Sequence, residues 1–111
     1  MVNADIAKKI TKLHIFFNEC GIKEGDHIAI CARNSAEWCA TFLAITSYKA
    51  VAVPLLPDFL PENVAHLTKL SDSKMLFVDK SILAGLKRDN VLDKFSEIDN
   101  FTGVVDIVST S

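Results

Sequence analysis

The first segment of the chain has apolar residues at steps of four, three and four positions, which is the spacing of one face of an α-helix. These residues are Ile6, Ile10, Leu13 and Phe17. The pattern predicts a helix over Asp5–Cys20. Three lysines are largely off its apolar stripe: Lys8, Lys9 and Lys12. Gly21 follows as the predicted C-terminal cap, because glycine adopts the left-handed conformation without steric cost.

Four short apolar runs are bounded by turn-forming residues, which is typical of strands in a buried parallel sheet. The runs are His27–Ala32, Ala50–Pro57, Met75–Val78 and Val104–Val108. The second strand must stop near Pro54, because proline has no N–H to donate to a neighbouring strand. The third run ends at Asp79.

Helical patterns lie between these strands. Ser35 is a predicted N-cap, and Glu37 lies in the first turn of the helix that follows, where the helix dipole favours a negative charge. The wide apolar face of this helix consists of Trp38, Cys39, Phe42, Leu43 and Ile45. Pro61 suits the first turn of the next helix, which continues through Val64, Leu67 and Leu70. A last helical pattern covers Ile82–Phe95 and is interrupted around Arg88, Asp89 and Asn90.

The order α-β-α-β-α-β-α-β predicts an α/β fold, with about four short, mostly parallel strands and helices on both faces of the sheet. The length of 111 residues suits one folding unit. The only loose stretches are Thr102–Gly103 and Ser109–Ser111, and the last three residues are expected to be a cut end.

Composition and charge restrict the cellular compartments and the classes of partner that are expected for this chain. Hydrophobic residues make up 50% of the chain and charged residues 23%, which excludes a disordered chain. No apolar run approaches the ~20 residues that span a bilayer, and no signal-peptide core follows the first lysines. We therefore expect a cytoplasmic protein without a transmembrane segment. The net charge is -2 and the chain has no stripe of basic residues, so we expect no nucleic-acid partner.

No sequence pattern for binding phosphate is present. The four glycines are Gly21, Gly25, Gly85 and Gly103, so neither GxGxxG nor GxxxxGK[ST] occurs in the chain. Such turns bring backbone N–H groups close to phosphate, which requires positions without a Cβ. The sequence therefore argues against a self-sufficient nucleotide site.

The residue types that carry acid-base, metal or nucleophilic chemistry are scattered along the chain. The three histidines lack HxxxH spacing and are interpreted as structural: His14, His27 and His66. Ser35 lies outside a GxSxG elbow, which favours its role as a cap over that of a nucleophile. Turn and cap roles explain four carboxylates: Asp58, Glu62, Asp72 and Asp79.

The cysteines and the single tryptophan are interpreted as core residues. Cys20, Cys31 and Cys39 are odd in number and have no CxxC spacing, which argues against a disulfide framework and a zinc site. Free cysteine is among the most buried residue types. Trp38 lies at helical spacing with Phe42, which favours packing over a platform for stacking bases.

Three motifs follow one another in a fixed order. They are GIKxGD at 21–26, RNSxEW at 33–38 and AVAVPL at 50–55, and a helix beginning PEN and the strand SDSKMLFVD come next. Together they resemble the early part of the adenylate-forming superfamily, which includes acyl-CoA synthetases, peptide-synthetase adenylation domains and luciferases. The resemblance runs from about Asp5 to Asp79.

The stretch ITSYKAVAVPLLPDFLPENV is most similar to the long-chain fatty acid:CoA ligase branch, in which TYGAVAVPI is common. Lys49 stands here where that branch usually has a glycine, between Tyr48 and Ala50. If this position requires a positive φ, lysine costs about 1 kcal/mol or more there.

The resemblance implies an enzyme in which a fatty acid carboxylate attacks the α-phosphate of ATP with Mg²⁺, giving an acyl-adenylate and pyrophosphate. The thiol of CoA then displaces AMP. In a protein of this kind, the phosphate loop, the ribose-binding residues and the catalytic lysine lie beyond Ser111. No catalytic, cofactor-binding or metal-binding residue is therefore assigned to this sequence. Fatty acid, ATP, Mg²⁺ and CoA are expected for the longer enzyme, and none is expected to bind this chain.

Residues 1–111 are therefore interpreted as one fragment of the N-terminal subdomain of an acyl-CoA synthetase, a scaffold portion that is inactive alone. Two alternatives stay open. One is an adenylating enzyme for an amino or aryl acid, and the other is a stand-alone flavodoxin-like module with a crevice near Arg33–Ser35 and Leu56–Asp58. Peripheral membrane contact of the longer enzyme is left open. An apolar fragment with an unpaired sheet edge is expected to self-associate.

Overall fold

The structure is a computed structural model that describes residues 4–108. Within them, four helices alternate with four strands, and a short 3-10 helix precedes the last strand. The elements are α1 (Ala4–Glu19), β1 (His27–Cys31), α2 (Ala36–Ser47), β2 (Val51–Pro54), α3 (Pro61–Leu70), β3 (Ser73–Val78), α4 (Lys80–Arg88), the 3-10 helix (Leu92–Glu97) and β4 (Gly103–Asp106). No helix in this part of the chain is long and apolar enough to cross a membrane.

The four strands form one parallel sheet in the order β2-β1-β3-β4. Ile28 of β1 lies opposite Ala52 of β2 on one side and Met75 of β3 on the other. The strand order reverses between β1 and β3, which makes this the topological switch point of the sheet. The predicted α/β class with parallel strands is confirmed.

Helices cover both faces of the sheet, as predicted. Successive side chains of a strand point to opposite faces, so the fully buried residues of β1 are shared between two cores. Ile28 and Ile30 belong to the core beneath α1 and α2. Ala29 and Cys31 belong to the core beneath α3, α4 and the 3-10 helix. This two-sided burial explains why β1 is a continuous apolar run.

The strand β2 lies at an edge of the sheet and ends at Pro54. The N–H groups of Val51 and Leu55 donate inward, to the carbonyls of Asp26 and Ile30, at 2.8 Å each. Alternate residues of a strand direct their backbone nitrogens to the same side, and Pro54 is not one of the residues that face β1. Its nitrogen is therefore on the open side of the strand, where no ladder bond is lost. The prediction that the second strand stops near Pro54 is confirmed.

The helix α1 ends as the sequence predicts. Gly21 has φ 80, and its N–H donates to the carbonyl of Asn18 at 3.1 Å. The next N–H, that of Ile22, reaches back to Phe17 at 2.9 Å. These two bonds form a Schellman motif, which satisfies the last carbonyls of the helix. Gly21 is therefore a C-cap residue.

The fourth strand is shorter than predicted. The apolar run covers Val104–Val108, but β4 pairs with β3 only over Gly103–Asp106. Asp106 Oδ1 accepts the N–H of Val108 at 2.9 Å, which turns the chain out of the strand direction. The strand was predicted too long because the apolar run continues past this turn. A hydrogen bond from a side chain to the backbone is not visible in a hydrophobic pattern. The expectation about 109–111 lies outside the described residues.

The last helical pattern divides where its polar interruption lies. It was predicted over Ile82–Phe95, and the structure has α4 and a separate 3-10 helix there. Asn90 adopts φ 56 between them, and its N–H donates to the carbonyl of Lys87 at 3.2 Å. Asparagine tolerates this left-handed conformation better than most residues. The interruption is therefore a true helix end.

Candidate functional site

The carboxyl edge of the sheet at the switch point is where open α/β folds bind ligands. Asp79, directly after β3, accepts the N–H of Arg33 through Oδ2 at 3.2 Å. Its Oδ1 accepts the N–H of Ile82 at 3.0 Å and the hydroxyl of Ser81 at 2.8 Å. This carboxylate therefore joins the loop after β1 to the first turn of α4.

The charge of Asp79 is held in place by these bonds. Burial disfavours the ionised carboxyl, but the hydrogen bonds from Ile82, Ser81 and Arg33 outweigh burial and hold its pKa below the ordinary range. A phosphate group at the N-terminus of α4 would meet this fixed negative charge. The geometry fits the predicted cap role of Asp79 and opposes a nucleotide crevice at this position.

Ser35 is the N-cap of α2, as predicted. Its Oγ accepts the N–H of Trp38 at 3.1 Å, and its backbone is extended. The loop that leads to it from β1 contains Arg33 and Asn34 but no glycine. Ser35 therefore serves the helix end, and the loop lacks the glycines that let a backbone approach phosphate.

The cysteines are less uniformly buried than predicted. Cys31 is buried, and its thiol donates to the carbonyl of Leu56 at 3.5 Å, which links β1 to the loop after β2. Burial, together with the charge of Asp79, raises the pKa of Cys31 to about 11, so this thiol is not a nucleophile at neutral pH. Cys39 is exposed because it lies on the solvent side of α2, and Cys20 is only half-buried.

The histidines are held by backbone groups or exposed, in keeping with the structural interpretation. His14 Nε2 lies 3.0 Å from the carbonyl of Ala44, and His27 Nδ1 lies 2.8 Å from the carbonyl of Ser71. Because a carbonyl only accepts, each of these nitrogens carries the hydrogen. His66 is exposed on α3. Within residues 4–108, no group of three or more His, Cys, Asp or Glu could hold a metal ion.

The four carboxylates lie on the surface, in turns or at a helix cap. Asp58 is exposed, and Glu62 pairs with Lys94 at 3.2 Å on the surface. Asp72 and Asp79 flank the two ends of β3, which places them roughly 20 Å apart at the rise of a strand. The prediction that turns and caps account for these residues fits Asp72, which has φ 53, and Asp79.

Trp38 belongs to the packing between α1 and α2, as predicted. Its ring stacks on that of Phe42, with centroids 5.4 Å apart and planes 7° from parallel. Both side chains are half-buried against the core beneath α1 and α2. Phe42 therefore covers one face of the Trp38 ring.

Lys9 is buried, contrary to the prediction from the sequence. It was predicted largely off the apolar stripe of α1, but it is only 8% exposed. The buried row of α1 is Lys9, Leu13 and Phe17, at steps of four, so its i+4 relation to Leu13 was the available signal. The ammonium donates to the carbonyl of Ile107 at 2.8 Å. Burial lowers its pKa, against the opposing charges of Glu37 and Asp106.

Comparison with known proteins yields one family. A family model described as "AMP-binding enzyme" matches residues 4–110. The chain is 30% identical over 105 residues to 4-coumarate--CoA ligase 4 of Arabidopsis thaliana, covering 92% of this chain and 18% of that protein. It is 35% identical over 63 residues to oxalate--CoA ligase of the same plant, covering 57% of this chain and 12% of that protein. The chain thus spans a fifth or less of the length of these curated relatives.

Solved structures show the same fold. The N-terminal domain of FACL13 from Mycobacterium tuberculosis superposes with a TM-score of 0.80 at 20% identity, covering 99% of this chain and 28% of that one. A long-chain-fatty-acid-CoA ligase from Archaeoglobus fulgidus superposes with a TM-score of 0.77 at 21% identity, covering 96% and 22%. At these identities the likeness concerns the fold alone.

Proposed function

The chain belongs to the family of AMP-binding enzymes, and from this premise we propose that it is the scaffold portion of a longer acid:CoA ligase, without catalytic residues of its own. The observation that carries the proposal is the family match over residues 4–110, combined with a carboxyl edge at which Asp79 and Ser35 are engaged as helix caps. The strands and helices of such a portion support a substrate pocket built by other segments.

We propose that ATP does not bind at the carboxyl edge of the described residues. Asp79 uses both carboxyl oxygens on the protein, and Ser35 uses its hydroxyl as a helix cap. A phosphate at this edge would face a carboxylate and a loop without glycine. No step of adenylation or thioester formation is therefore assigned to residues 4–108. The use of ATP, Mg²⁺ and CoA is proposed for the longer enzyme.

For the acid substrate, we propose a long-chain fatty acid. The support is the stretch from Tyr48 to Phe59, whose sequence is most similar to the fatty acid branch. This stretch forms β2 and the loop after it, and it carries the exposed apolar side chain of Leu56.

An aryl acid is the second candidate, and a specific observation favours it. The relative that matches 92% of this chain is named for 4-coumarate, an acid with an aromatic ring. The two candidates share the chemistry at the carboxylate and differ in the pocket that receives the rest of the acid.

The longer protein that contains this chain separates these candidates. Palmitate and 4-coumarate are supplied in turn with ATP, Mg²⁺ and CoA, and AMP release is measured as kcat/KM. Palmitate is expected to give the higher value. A higher value for 4-coumarate would replace the fatty acid proposal by the aryl acid, and no AMP with either acid would argue against a ligase of these classes.

A titration of the chain alone with ATP and Mg²⁺ addresses the stand-alone module. Calorimetry is expected to show no saturable binding in the micromolar range, because the first turns of α2 and α4 are capped by side chains. Saturable micromolar binding would favour a module with its own nucleotide crevice over a scaffold.

A further inference from the structure

A cavity of about 420 Å³ lies between α1 and the first turns of α2. Three lysines of α1 line it: Lys8, Lys9 and Lys12. Asp5 and Glu37 contribute negative charge, and the rest of the wall is apolar: Ile6, Ala36 and Ala40. With three ammonium groups and two carboxylates, the charged groups of the lining sum to a net positive charge. Its lining shares no residue with Arg33–Ser35, Leu56–Asp58 or Asp79.

The ammonium of Lys9 is the unusual group in this cavity. The residue is 8% exposed, and the bond of 2.8 Å to the carbonyl of Ile107 uses one of its three N–H donors. Among residues 4–108, the other two donors have no hydrogen-bond acceptor. Glu37 and Asp106 both act on this ammonium with their charge, and Glu37 forms no ion-pair contact with it. A buried ammonium with free donors at a cavity wall is suited to receive oxygen atoms from a ligand.

The burial of Lys9 has a cost that packing does not explain. Burial disfavours its charged form, as the direction of its pKa shows. An apolar residue of similar length would complete the row formed by Leu13 and Phe17 without that cost. A local departure from the best packing of a helix is typical of a functional position.

We propose that this cavity binds an oxyanion, a carboxylate or a phosphate group, whose oxygens accept the two remaining N–H donors of Lys9. Lys8 and Lys12 lie exposed at the rim and add attraction at long range. Ala36 and Ala40 leave room beside α2 for an apolar part of the ligand. The site is independent of the scaffold role, since it requires neither adenylation nor the longer protein.

Amide chemical shifts of the ¹⁵N-labelled chain test the proposal with two probes, inorganic phosphate and butyrate, at constant ionic strength. Saturable shifts in α1 and α2 with phosphate, butyrate or both support the site, and the probe that saturates identifies the ligand chemistry. Absence of saturation with both probes up to the high millimolar range overturns it.

Matched variants assign the binding to Lys9. Lys9→Met removes the charge and donors at similar length and is expected to weaken binding at least tenfold. Lys87→Met makes the same change at an exposed position of α4, on the other face of the sheet. This variant is expected to bind the anion as the parent chain does. Equal weakening in both variants would indicate a general charge effect and contradict the site.

A second pair of variants keeps the test decisive if Lys9→Met fails to fold. Glu37→Gln removes a negative charge from the cavity wall and is expected to tighten binding severalfold. Lys12→Met removes a positive charge at the exposed rim and is expected to weaken it severalfold. The opposite direction for either variant, or no change in both, would show that the anion does not bind in this cavity.

Discussion

Lys49 has a backbone conformation that its residue type disfavours. It follows the C-cap of α2 with φ 70, a conformation that favours glycine. Its N–H donates to Thr46 and that of Ala50 to Ile45, at 3.1 Å each, so the backbone forms a Schellman motif in spite of the side chain. The condition stated from the sequence, that the position requires a positive φ, is confirmed. The related branch usually meets that condition with glycine.

Replacing this residue is expected to stabilise the chain. Lys49→Gly relieves the left-handed strain and should raise the free energy of unfolding by about 0.5–1 kcal/mol, after the greater backbone freedom of glycine in the unfolded state is subtracted. Urea denaturation measures the change. Lys87→Gly, within the helix α4, is the matched control and should lower the same quantity. A loss of stability with Lys49→Gly would contradict the strain.

Thr41 is a buried hydroxyl without a hydrogen-bond partner among the described residues. Thr41→Val keeps the shape and removes the unsatisfied group, so it should raise the free energy of unfolding by about 1 kcal/mol. Thr68 is equally buried, but its hydroxyl donates to the carbonyl of Val64 at 2.7 Å. Thr68→Val is therefore expected to give no gain or a loss in the same urea experiment. Equal gains would show that the partner of the hydroxyl is irrelevant.

Helix ends and strands could be predicted where neighbouring residues in the sequence determine them. The caps Gly21 and Ser35 follow from residue type, and both are confirmed in the structure. The i+4 relation of Lys9 to Leu13 places it on the buried row of α1, but the group that receives its ammonium is a carbonyl 98 residues away, which no local pattern contains. That β2 is an edge strand and β1 a central one follows from the order of the sheet, although both are apolar runs. For the site, residue spacing predicted the caps but not the cavity, which the packing of α1 on α2 creates.

Asp79 connects three elements, and its charge should make their stability depend on pH. Because its pKa is lowered in the folded chain, the charge contributes stability above its unfolded value, about 3.9, and this contribution is lost as pH falls through the folded pKa. Asp79→Asn keeps a capping oxygen but removes the charge and one acceptor, so it should destabilise the chain by about 1 kcal/mol at pH 7. The difference from the parent should shrink in acid.

A cap without a titrating group provides the control for that experiment. Ser35→Ala removes the N-cap of α2 and should lower the free energy of unfolding by about 1 kcal/mol at both pH values. Denaturation of the three chains at neutral and acid pH makes the comparison. A difference between Asp79→Asn and the parent that is unchanged in acid would show that the ionised carboxyl is not what stabilises α4.

The described part of the molecule is a sheet covered by helices on both faces, with some apolar side chains exposed at the surface. Leu56 is 62% exposed and Leu60 is 68% exposed, both in the loop after the edge strand β2. On the outer side of β2, Pro54 has no N–H to offer a further strand. At this edge, contact between copies is therefore expected through side chains of the loop more than through extension of the sheet.

Self-association of the chain is expected at tens of micromolar and is measurable by light scattering. The double variant Leu56→Lys with Leu60→Lys should shift the mass toward the monomer, because two charges would have to be buried in the contact. Leu70→Lys is the control, at a leucine that is 71% exposed at the far end of α3. A clean monomer of the unmodified chain would contradict the expectation.

The activity of the chain alone tests most directly whether it is a scaffold. The purified chain is incubated with ATP, Mg²⁺ and CoA, with palmitate or 4-coumarate as the acid, and AMP is quantified against a blank without protein. Because Ser35 and Asp79 at its carboxyl edge are engaged as helix caps, we predict AMP formation equal to the blank with both acids. Acid-dependent AMP formation above the blank would contradict the scaffold role and place catalytic residues within this chain.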